Sequence, residues 1–126
     1  MNSQSNNQFA FFRAPNYDPL VLIAANAAKN TFTIGELFTV GQLGTPAPGF
    51  TGPVDVVDGE NDLPFCQSNC LVPANKAAAV RPALYVNAAA GSEYYIAPGA
   101  GHGLNQHYAA YGAYLQIFGF IKSNGF

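Results

Sequence analysis

Charged residues are scarce in this chain, and tryptophan is absent. Only 10% of its 126 residues are Asp, Glu, Lys or Arg, against about 25% in an average globular domain. The five basic residues are spread singly, which excludes the basic stripe that binds nucleic-acid phosphates. Because few charges keep the chain soluble, we expect much of its surface to be covered by a partner, by another copy of the chain, or by the rest of a larger protein.

Long apolar runs are also missing. The longest, residues 19–25, is far shorter than the ~20 residues that cross a membrane, and the first nine residues lack the basic and apolar parts of a signal peptide. The sequence therefore predicts no membrane segment, and no motif in it indicates a cofactor. Hydrophobic residues nevertheless make up 49% of the chain, which is enough to fold one domain against the entropy of ordering it.

Composition divides the chain into three segments. Residues 1–8 are rich in Asn, Gln and Ser, and we expect a flexible N-terminus there. Residues 9–50 are predicted to form a helical cap or lead-in segment. Residues 51–126 are predicted to form the C-terminal part, in which strands alternate with helices.

Local signals predict two helices in the lead-in segment. Asp18 followed by Pro19 is typical of a helix start, and the mostly apolar residues up to Lys29 predict a buried helix. Thr33 and Glu36 have the spacing of a capping box, in which each side chain bonds the other residue's backbone N–H. They predict a second, short helix.

The C-terminal part predicts a strand–helix–strand unit followed by a long helix. Residues 54–57 and 93–97 are predicted strands, and residues 73–80 form an alanine-rich helix that Pro82 ends. A last helix over residues 105–122 is predicted from an apolar stripe that we expect to face the core: Leu104, Tyr108, Tyr111, Leu115 and Phe118. This order of elements predicts the α/β class.

An acidic turn, Gly59-Glu60-Asn61-Asp62, directly follows the first predicted strand. Catalytic groups of open α/β sheets lie beyond the carboxyl ends of the strands, so a carboxylate here is well placed for chemistry. The alternative is a turn without function, because Asp, Asn and Gly all tolerate turn geometry.

A histidine loop, Gly99-Ala100-Gly101-His102-Gly103, follows the second predicted strand. The glycines leave His102 unhindered, and imidazole is the side chain best suited to move protons near neutral pH. A loop histidine without a role is the alternative. Together, an Asp after one strand and a His after the next indicate a carboxylate that orients an imidazole, in the chain order Asp then His of α/β-hydrolases.

Two segments, PVDVVDGENDLPFCQSNC and APGAGHGLNQHY, resemble the C-terminal part of fungal α/β-hydrolase-fold proteins. The resemblance covers about residues 53–126 and is weaker over residues 9–50. It implies a partial α/β-hydrolase fold, namely the C-terminal parallel strands with flanking helices, and a secreted intact relative that hydrolyses small esters or amides. It also implies that Asp62 is the acid and His102 the general base of a catalytic triad.

The nucleophile of such a triad is missing from this sequence. No G-x-S-x-G motif occurs, and no serine lies between glycines in a strand–turn–helix; the five serines are Ser3, Ser5, Ser68, Ser92 and Ser123. The resemblance therefore implies a fragment or truncated relative that is inactive alone and that associates with the missing N-terminal part or with itself. The alternative is a non-catalytic binding or interaction protein on a hydrolase-derived scaffold.

Cys66 and Cys70 have C-x3-C spacing, which allows a disulfide, a pair of free thiols or part of a metal site. The resemblance, and the oxidising compartment of a secreted relative, favour the disulfide. A zinc site with His102 and His107 is a further alternative, but the 31 residues between the two pairs far exceed the ~12–15 of a zinc finger. The sequence therefore predicts no metal.

Two other polar residues lie in apolar surroundings. Asp55 falls inside the first predicted strand, where burying an unpaired carboxylate is costly. We expect it to find a partner, to lie near a strand edge or to face water. His107 falls near the start of the last helix, where it is expected to pack, to cap the helix or to reach the His102 loop; packing is the simplest of these.

Overall fold

The two predicted strands pair in parallel. In the computed structural model, which describes residues 3–126, β1 (Asp55–Gly59) and β2 (Glu93–Ala97) form one two-stranded sheet. The register places Gly59 opposite Ala97 at the carboxyl ends of the strands. The turns that follow β1 and β2 therefore lie side by side.

Six α-helices accompany this sheet within the described residues: α1 (Gln4–Phe11), α2 (Pro19–Ala27), α3 (Ile34–Thr39), α4 (Leu63–Cys66), α5 (Lys76–Leu84) and α6 (Ala110–Ser123). Short 3₁₀ turns follow α3 (Val40–Gly44) and precede α6 (Leu104–Gln106). α4 and α5 connect the two strands, and α5 and α6 both contact the sheet.

The prediction of a partial α/β-hydrolase fold is wrong. Residues 3–126 form a small mixed α/β domain, and its two parallel strands in one sheet do not build the wide parallel sheet of that fold. The physical reason lies in the sequence, since only two segments combine strand-forming residues with turn residues on both sides. The rest of the described chain folds as helices and loops.

Capping interactions explain where α2 and α3 begin. One carboxylate oxygen of Asp18 accepts a hydrogen bond from the backbone N–H of Leu20 at 2.8 Å. The side chain of Thr33 accepts from the N–H of Glu36, and the Glu36 carboxylate accepts from the N–H of Thr33. Both predicted helix starts are therefore confirmed.

Two helices differ from the predictions. α1 begins within the segment expected to be a flexible N-terminus, where no helix was predicted, and Ser3 is its N-cap; Met1 and Asn2 lie outside the described residues. α5 contains Pro82 instead of stopping before it. Pro82 lies near the end of this helix, where a proline removes one hydrogen bond without ending the helix.

The apolar stripe of α6 does not face the core, contrary to the prediction. Tyr111 is 73% exposed, and Leu115 and Phe118 are exposed as well, whereas the neighbouring Ala113 is buried against the sheet. α2 buries Leu22 alone, and α3 buries none of its residues. The spacing of apolar residues predicts that a helix has an apolar face, but it does not predict whether another element packs on that face. None of the helices within residues 3–126 has the length and apolar character needed to cross a bilayer.

The segment after α1 is attached to the loop that follows β2. The N–H of Gly103 donates to the carbonyl of Phe11 at 2.7 Å. The side-chain amide of Asn16 donates to the carbonyl of Gly99 at 3.0 Å. The backbone carbonyl of Asn16 accepts from the N–H of Tyr108, also at 3.0 Å. These bonds bring the aromatic residues at the end of α1 to the edge of the sheet where the two turns meet.

Candidate active site

Asp62 is held rigidly in the turn after β1. It is the N-cap of α4, and its Oδ1 accepts a hydrogen bond from the N–H of Phe65 at 2.7 Å. Only 1% of its surface is exposed. A carboxylate in this position satisfies a free helix N–H while its second oxygen is left for another partner.

The loop that carries His102 is tied to the turn that carries Asp62. The N–H of Glu60 donates to the carbonyl of Ala97 at 3.0 Å, and the N–H of Asn61 donates to the carbonyl of Ala100 at 2.8 Å. The two loops pass so close that a Cβ on Gly59 would lie 2.5 Å from the carbonyl oxygen of Gly101. Glycine at position 59 is therefore required by the close approach of the two backbones.

Asp62 and His102, which are 40 positions apart in the sequence, form a short hydrogen bond. His102 Nδ1 lies 2.6 Å from Asp62 Oδ2. Because an ionised carboxylate can only accept hydrogen bonds, Nδ1 carries the hydrogen, and in neutral His102 the Nε2 atom is the basic nitrogen. The two residues singled out in the sequence are thus brought together in the geometry of a carboxylate-oriented imidazole.

The surroundings shift both pKa values in favour of an ion pair. Burial alone would raise the pKa of Asp62, but hydrogen bonds from His102 and Phe65 and the nearby imidazolium charge hold it below its usual value. The hydrogen bond to Asp62 raises the pKa of His102; burial opposes this rise, and the charges of Asp62 and Asp58 reinforce it. The pair therefore favours the protonated form of the imidazole more than free histidine does.

Two phenylalanine rings flank the imidazole. The ring centroids of Phe11 and Phe65 lie 5.3 Å and 5.2 Å from that of His102. The His102 side chain is 28% exposed, and its Nε2 hydrogen-bonds to no residue of the described chain, serines included. The basic nitrogen is thus accessible beside an apolar wall, where a second reactant can reach it.

His107 has a structural part in this arrangement. Its Nε2 accepts from the backbone N–H groups of Arg13 and Gly101, at 2.9 and 3.1 Å, and its Nδ1 lies 2.9 Å from the carbonyl oxygen of Gly103. Burial lowers its pKa, although the bond to Gly103 opposes the change. His107 therefore packs, and as a neutral ring it joins the segment after α1 to the His102 loop.

Cys66 and Cys70 form a disulfide, which confirms that prediction. The N–H of Cys70 donates to the carbonyl of Glu60 at 2.8 Å, so the bridged segment is fastened to the turn that carries Asp62. The two sulfurs bond each other and are not thiolate ligands, so this arrangement does not fit the zinc alternative.

Of the three outcomes expected for Asp55, a position near a strand edge is the one observed, because both strands of a two-stranded sheet are edge strands. Asp55 is the first residue of β1, its two carboxylate oxygens are covered, and they have no hydrogen-bond partner among the described residues. Gln116 lies beside it but donates its amide hydrogen to Glu93 at 2.5 Å. Burial raises the pKa of Asp55; the neighbouring Gln116 amide opposes this rise, and the nearby charge of Glu93 adds to it.

Asp58 belongs to the site and escaped the sequence analysis. It lies in β1, one residue before the Gly59 turn, and its carboxyl interacts with that of Asp62. Burial, followed by the charge of Asp62, raises the pKa of Asp58 to about 6. The only sequence signal is a carboxyl at the end of a strand four residues before Asp62, and that signal does not distinguish Asp58 from a solvent-facing residue.

Comparison with protein-family models, curated proteins and solved structures found no match to this chain. The functional interpretation therefore depends on the geometry of the site and on the motifs themselves.

Proposed function

We propose that Asp62 and His102 are the acid and base of a hydrolytic site for small esters or amides, and that the nucleophile comes from outside this chain. The observation that carries the proposal is the 2.6 Å contact between Asp62 Oδ2 and His102 Nδ1, which leaves Nε2 accessible. Kinship with the C-terminal portion of secreted fungal serine hydrolases is part of the proposal. It rests on the GEND and GHG motifs and not on the fold.

The chemistry follows from the two ring nitrogens of His102. Nδ1 is bonded to the buried Asp62, and Nε2 is free to meet a second reactant. A serine hydroxyl presented to His102 Nε2 loses its proton to that nitrogen as it attacks the substrate carbonyl carbon. Asp62 keeps the ring in the Nδ1–H tautomer and stabilises the imidazolium that forms.

The imidazolium then returns the proton to the leaving group, which departs as an alcohol or amine and leaves the acyl group on the serine. His102 Nε2 next takes a proton from a water that attacks this acyl group, and it returns the proton to the serine oxygen as the carboxylic acid leaves. Without a serine at Nε2 the chain has no nucleophile for these steps, so alone it lacks triad-dependent turnover and retains only slow cleavage of activated esters by the imidazole itself.

The proposal is tested with the purified chain and two reagents. With p-nitrophenyl acetate, we expect only slow, imidazole-dependent cleavage, which falls to the buffer rate in His102→Ala and decreases in Asp62→Asn. Asp18→Asn removes the charge of an exposed carboxyl at the start of α2. This variant is the matched control and should retain the rate. A fluorophosphonate probe should label no serine.

Two results would contradict the proposal. Cleavage by His102→Ala at the rate of the unmodified chain would show that the pair does not act on acyl esters. Labelling of any serine by the fluorophosphonate would show that the chain holds its own nucleophile. The genomic sequence upstream of the coding segment gives an independent check, because an in-frame G-x-S-x-G within about 100–200 residues, one domain's length, would supply the missing serine.

A second candidate function, a non-catalytic binding protein, is favoured by the amount of exposed apolar surface. Phe38 on α3 is 82% exposed, and Tyr111, Leu115 and Phe118 form an uncovered stripe on α6. Exposed apolar patches of this kind mark interaction surfaces. The ester assay separates the candidates, because a binding protein shows no difference between His102→Ala and the unmodified chain.

A further inference from the structure

Apart from the backbone N–H of Gly59, the side chain of Asp58 faces hydrogen-bond acceptors. Its Oδ2 lies 3.6 Å from Cys66 Sγ and 3.6 Å from Cys70 Sγ, and disulfide sulfurs carry no hydrogen. Its Oδ1 is already bonded to the N–H of Gly59 at 2.7 Å. The third neighbour is the carboxyl of Asp62, which is another acceptor when ionised.

Asp62 has no hydrogen to offer in return. Its Oδ1 accepts from Phe65 N–H and its Oδ2 faces His102 Nδ1, so the proton that stabilises the contact between the two carboxyls belongs to Asp58. Lys76 at the start of α5 lines the same groove, but it directs its ammonium to the carbonyl of Cys66 at 3.0 Å. Because the two carboxyls interact through a hydrogen bond and through their charges, they do not both ionise freely, and a shared proton is the usual resolution.

We propose that Asp58 is a positioning residue for the Asp62–His102 pair: when protonated it donates a hydrogen bond to Asp62, and when ionised it adds a second negative charge that favours the imidazolium form of His102. The inference rests on the proposed role of the pair in hydrolysis. Asp58 itself touches neither substrate nor the free Nε2; it acts through its hydrogen bond to Asp62 and through its charge on His102. The proton that it loses goes to solvent.

The pH range in which Asp58 acts follows from its surroundings. Its pKa of about 6 means that Asp58 ionises at a pH where His102, whose pKa is raised by the bond to Asp62, still carries its second proton. The groups that face it are Asp62 and His102 from the two loops and Lys76 from α5. As Asp58 ionises, the site gains negative charge next to an imidazole that is still partly protonated.

The test is an NMR titration of the full chain from pH 4 to pH 9. The Cε1–H signal of His102 is followed in the unmodified protein and in Asp58→Asn, which keeps the shape and an N–H donor but carries no charge. We expect the acid dissociation constant of His102 to increase at least about threefold in Asp58→Asn, less than the effect of a charge in direct contact. Asp18→Asn is the control and leaves the titration unchanged.

A second measurement uses the unmodified protein and does not depend on the folding of a variant. The side-chain carboxyl carbon of Asp58 should titrate near pH 6, and the His102 signal should show an inflection at the same pH. An Asp58 carboxyl that titrates near pH 4, or an unchanged His102 titration in Asp58→Asn, would overturn the proposal.

The outcome is distinguishable from that of the hydrolytic function. If the two carboxyls and His102 titrate together but His102→Ala cleaves p-nitrophenyl acetate as fast as the unmodified chain, the coupling stands and the hydrolytic role fails. If ester cleavage depends on His102 while Asp58→Asn leaves the titration unchanged, the hydrolytic role stands and Asp58 has no part in it.

Discussion

Phe65 donates its backbone N–H to Asp62 Oδ1 at 2.7 Å, and its ring lies 5.2 Å from the imidazole of His102. Phe65 thus orients the carboxylate of Asp62 through its backbone and flanks the imidazole of His102 with its ring. Both oxygens of Asp62 are occupied, one by a helix N–H and one by His102. Rotation of the carboxylate would break one of these two bonds, so the orientation of the pair is set by the first turn of α4.

Reduction of the disulfide should weaken the turn beneath the pair. Cys66 and Cys70 close a short loop, four positions apart, and the chain-entropy estimate for so small a loop is about 2 kcal/mol of stability. We expect Cys66→Ala combined with Cys70→Ala to lower the free energy of unfolding in urea by about this amount. The double variant should also lose all sensitivity of its unfolding midpoint to a reducing agent. A midpoint equal to that of the oxidised protein would show that the bridge stabilises nothing.

Substitution of Gly59 should separate the two loops. A Cβ at this position would meet the carbonyl oxygens of Ala100 and Gly101 at 2.6 and 2.5 Å, and overpacking of this kind costs about 1–3 kcal/mol. We expect Gly59→Ala to destabilise the fold in thermal unfolding and to displace the NMR signals of His102. Gly41→Ala is the matched control, since a Cβ at position 41 meets nothing within 4 Å. Equal stability of the two variants would contradict the close approach of the loops.

The Asp62–His102 pair should make stability depend on pH. The lowered pKa of Asp62 gives a contribution that is present above its unfolded value of about 3.9 and is lost as the pH falls through the folded value. The raised pKa of His102 gives a contribution that is complete below about 6.5 and is lost as the pH rises through the folded value. The Asp62–His102 pair therefore stabilises the folded state most between about pH 4 and 6.5.

Urea unfolding of the unmodified protein and of His102→Gln at two pH values measures this effect. We expect the unmodified protein to exceed the variant in free energy of unfolding by more at pH 5.5 than at pH 9. A difference that is the same at both pH values would show that the charged imidazole adds nothing to the fold.

The uncovered stripe of α6 should cause self-association of the isolated chain. Leu115 and Phe118 are 55% and 65% exposed, and contiguous apolar surface of this kind drives association. We expect Leu115→Lys combined with Phe118→Lys to lower the mean particle mass in light scattering. Asn105→Lys with Ser123→Lys adds the same charge at exposed polar positions and should leave the mass high. A monodisperse monomer of the unmodified chain would rule out this prediction.

The sequence predicted the local elements well wherever a short-range interaction decides them. Asp18 and Thr33 begin helices because the groups that they cap lie two or three residues away. The second strand was predicted with its observed bounds, residues 93–97, since turn residues flank a short strand-forming run. Pro82 is the counterexample, because a proline signal near a helix end does not decide whether the last turn forms.

The candidate site was only partly predictable. Asp62 and His102 were identified because each follows a strand, and parallel strands bring their carboxyl ends to one edge. Asp58 was not identified, because its importance depends on the carboxyl and the two sulfurs that surround it. The predicted hydrolase fold was wrong, because motifs of a few residues do not reveal how many strands the rest of the chain will form.

Capping pairs, strand-forming runs and the two loop motifs could be recognised from the order of residues alone, since each depends on groups a few positions apart. Only the tertiary structure decided that a carboxylate and an imidazole 40 positions apart meet at 2.6 Å, that the carboxyl of Asp58 interacts with that of Asp62, and that the apolar face of the last helix stays uncovered. The physical reason is that proton affinity and burial depend on every neighbour in space, whereas a helix cap depends only on its own turn.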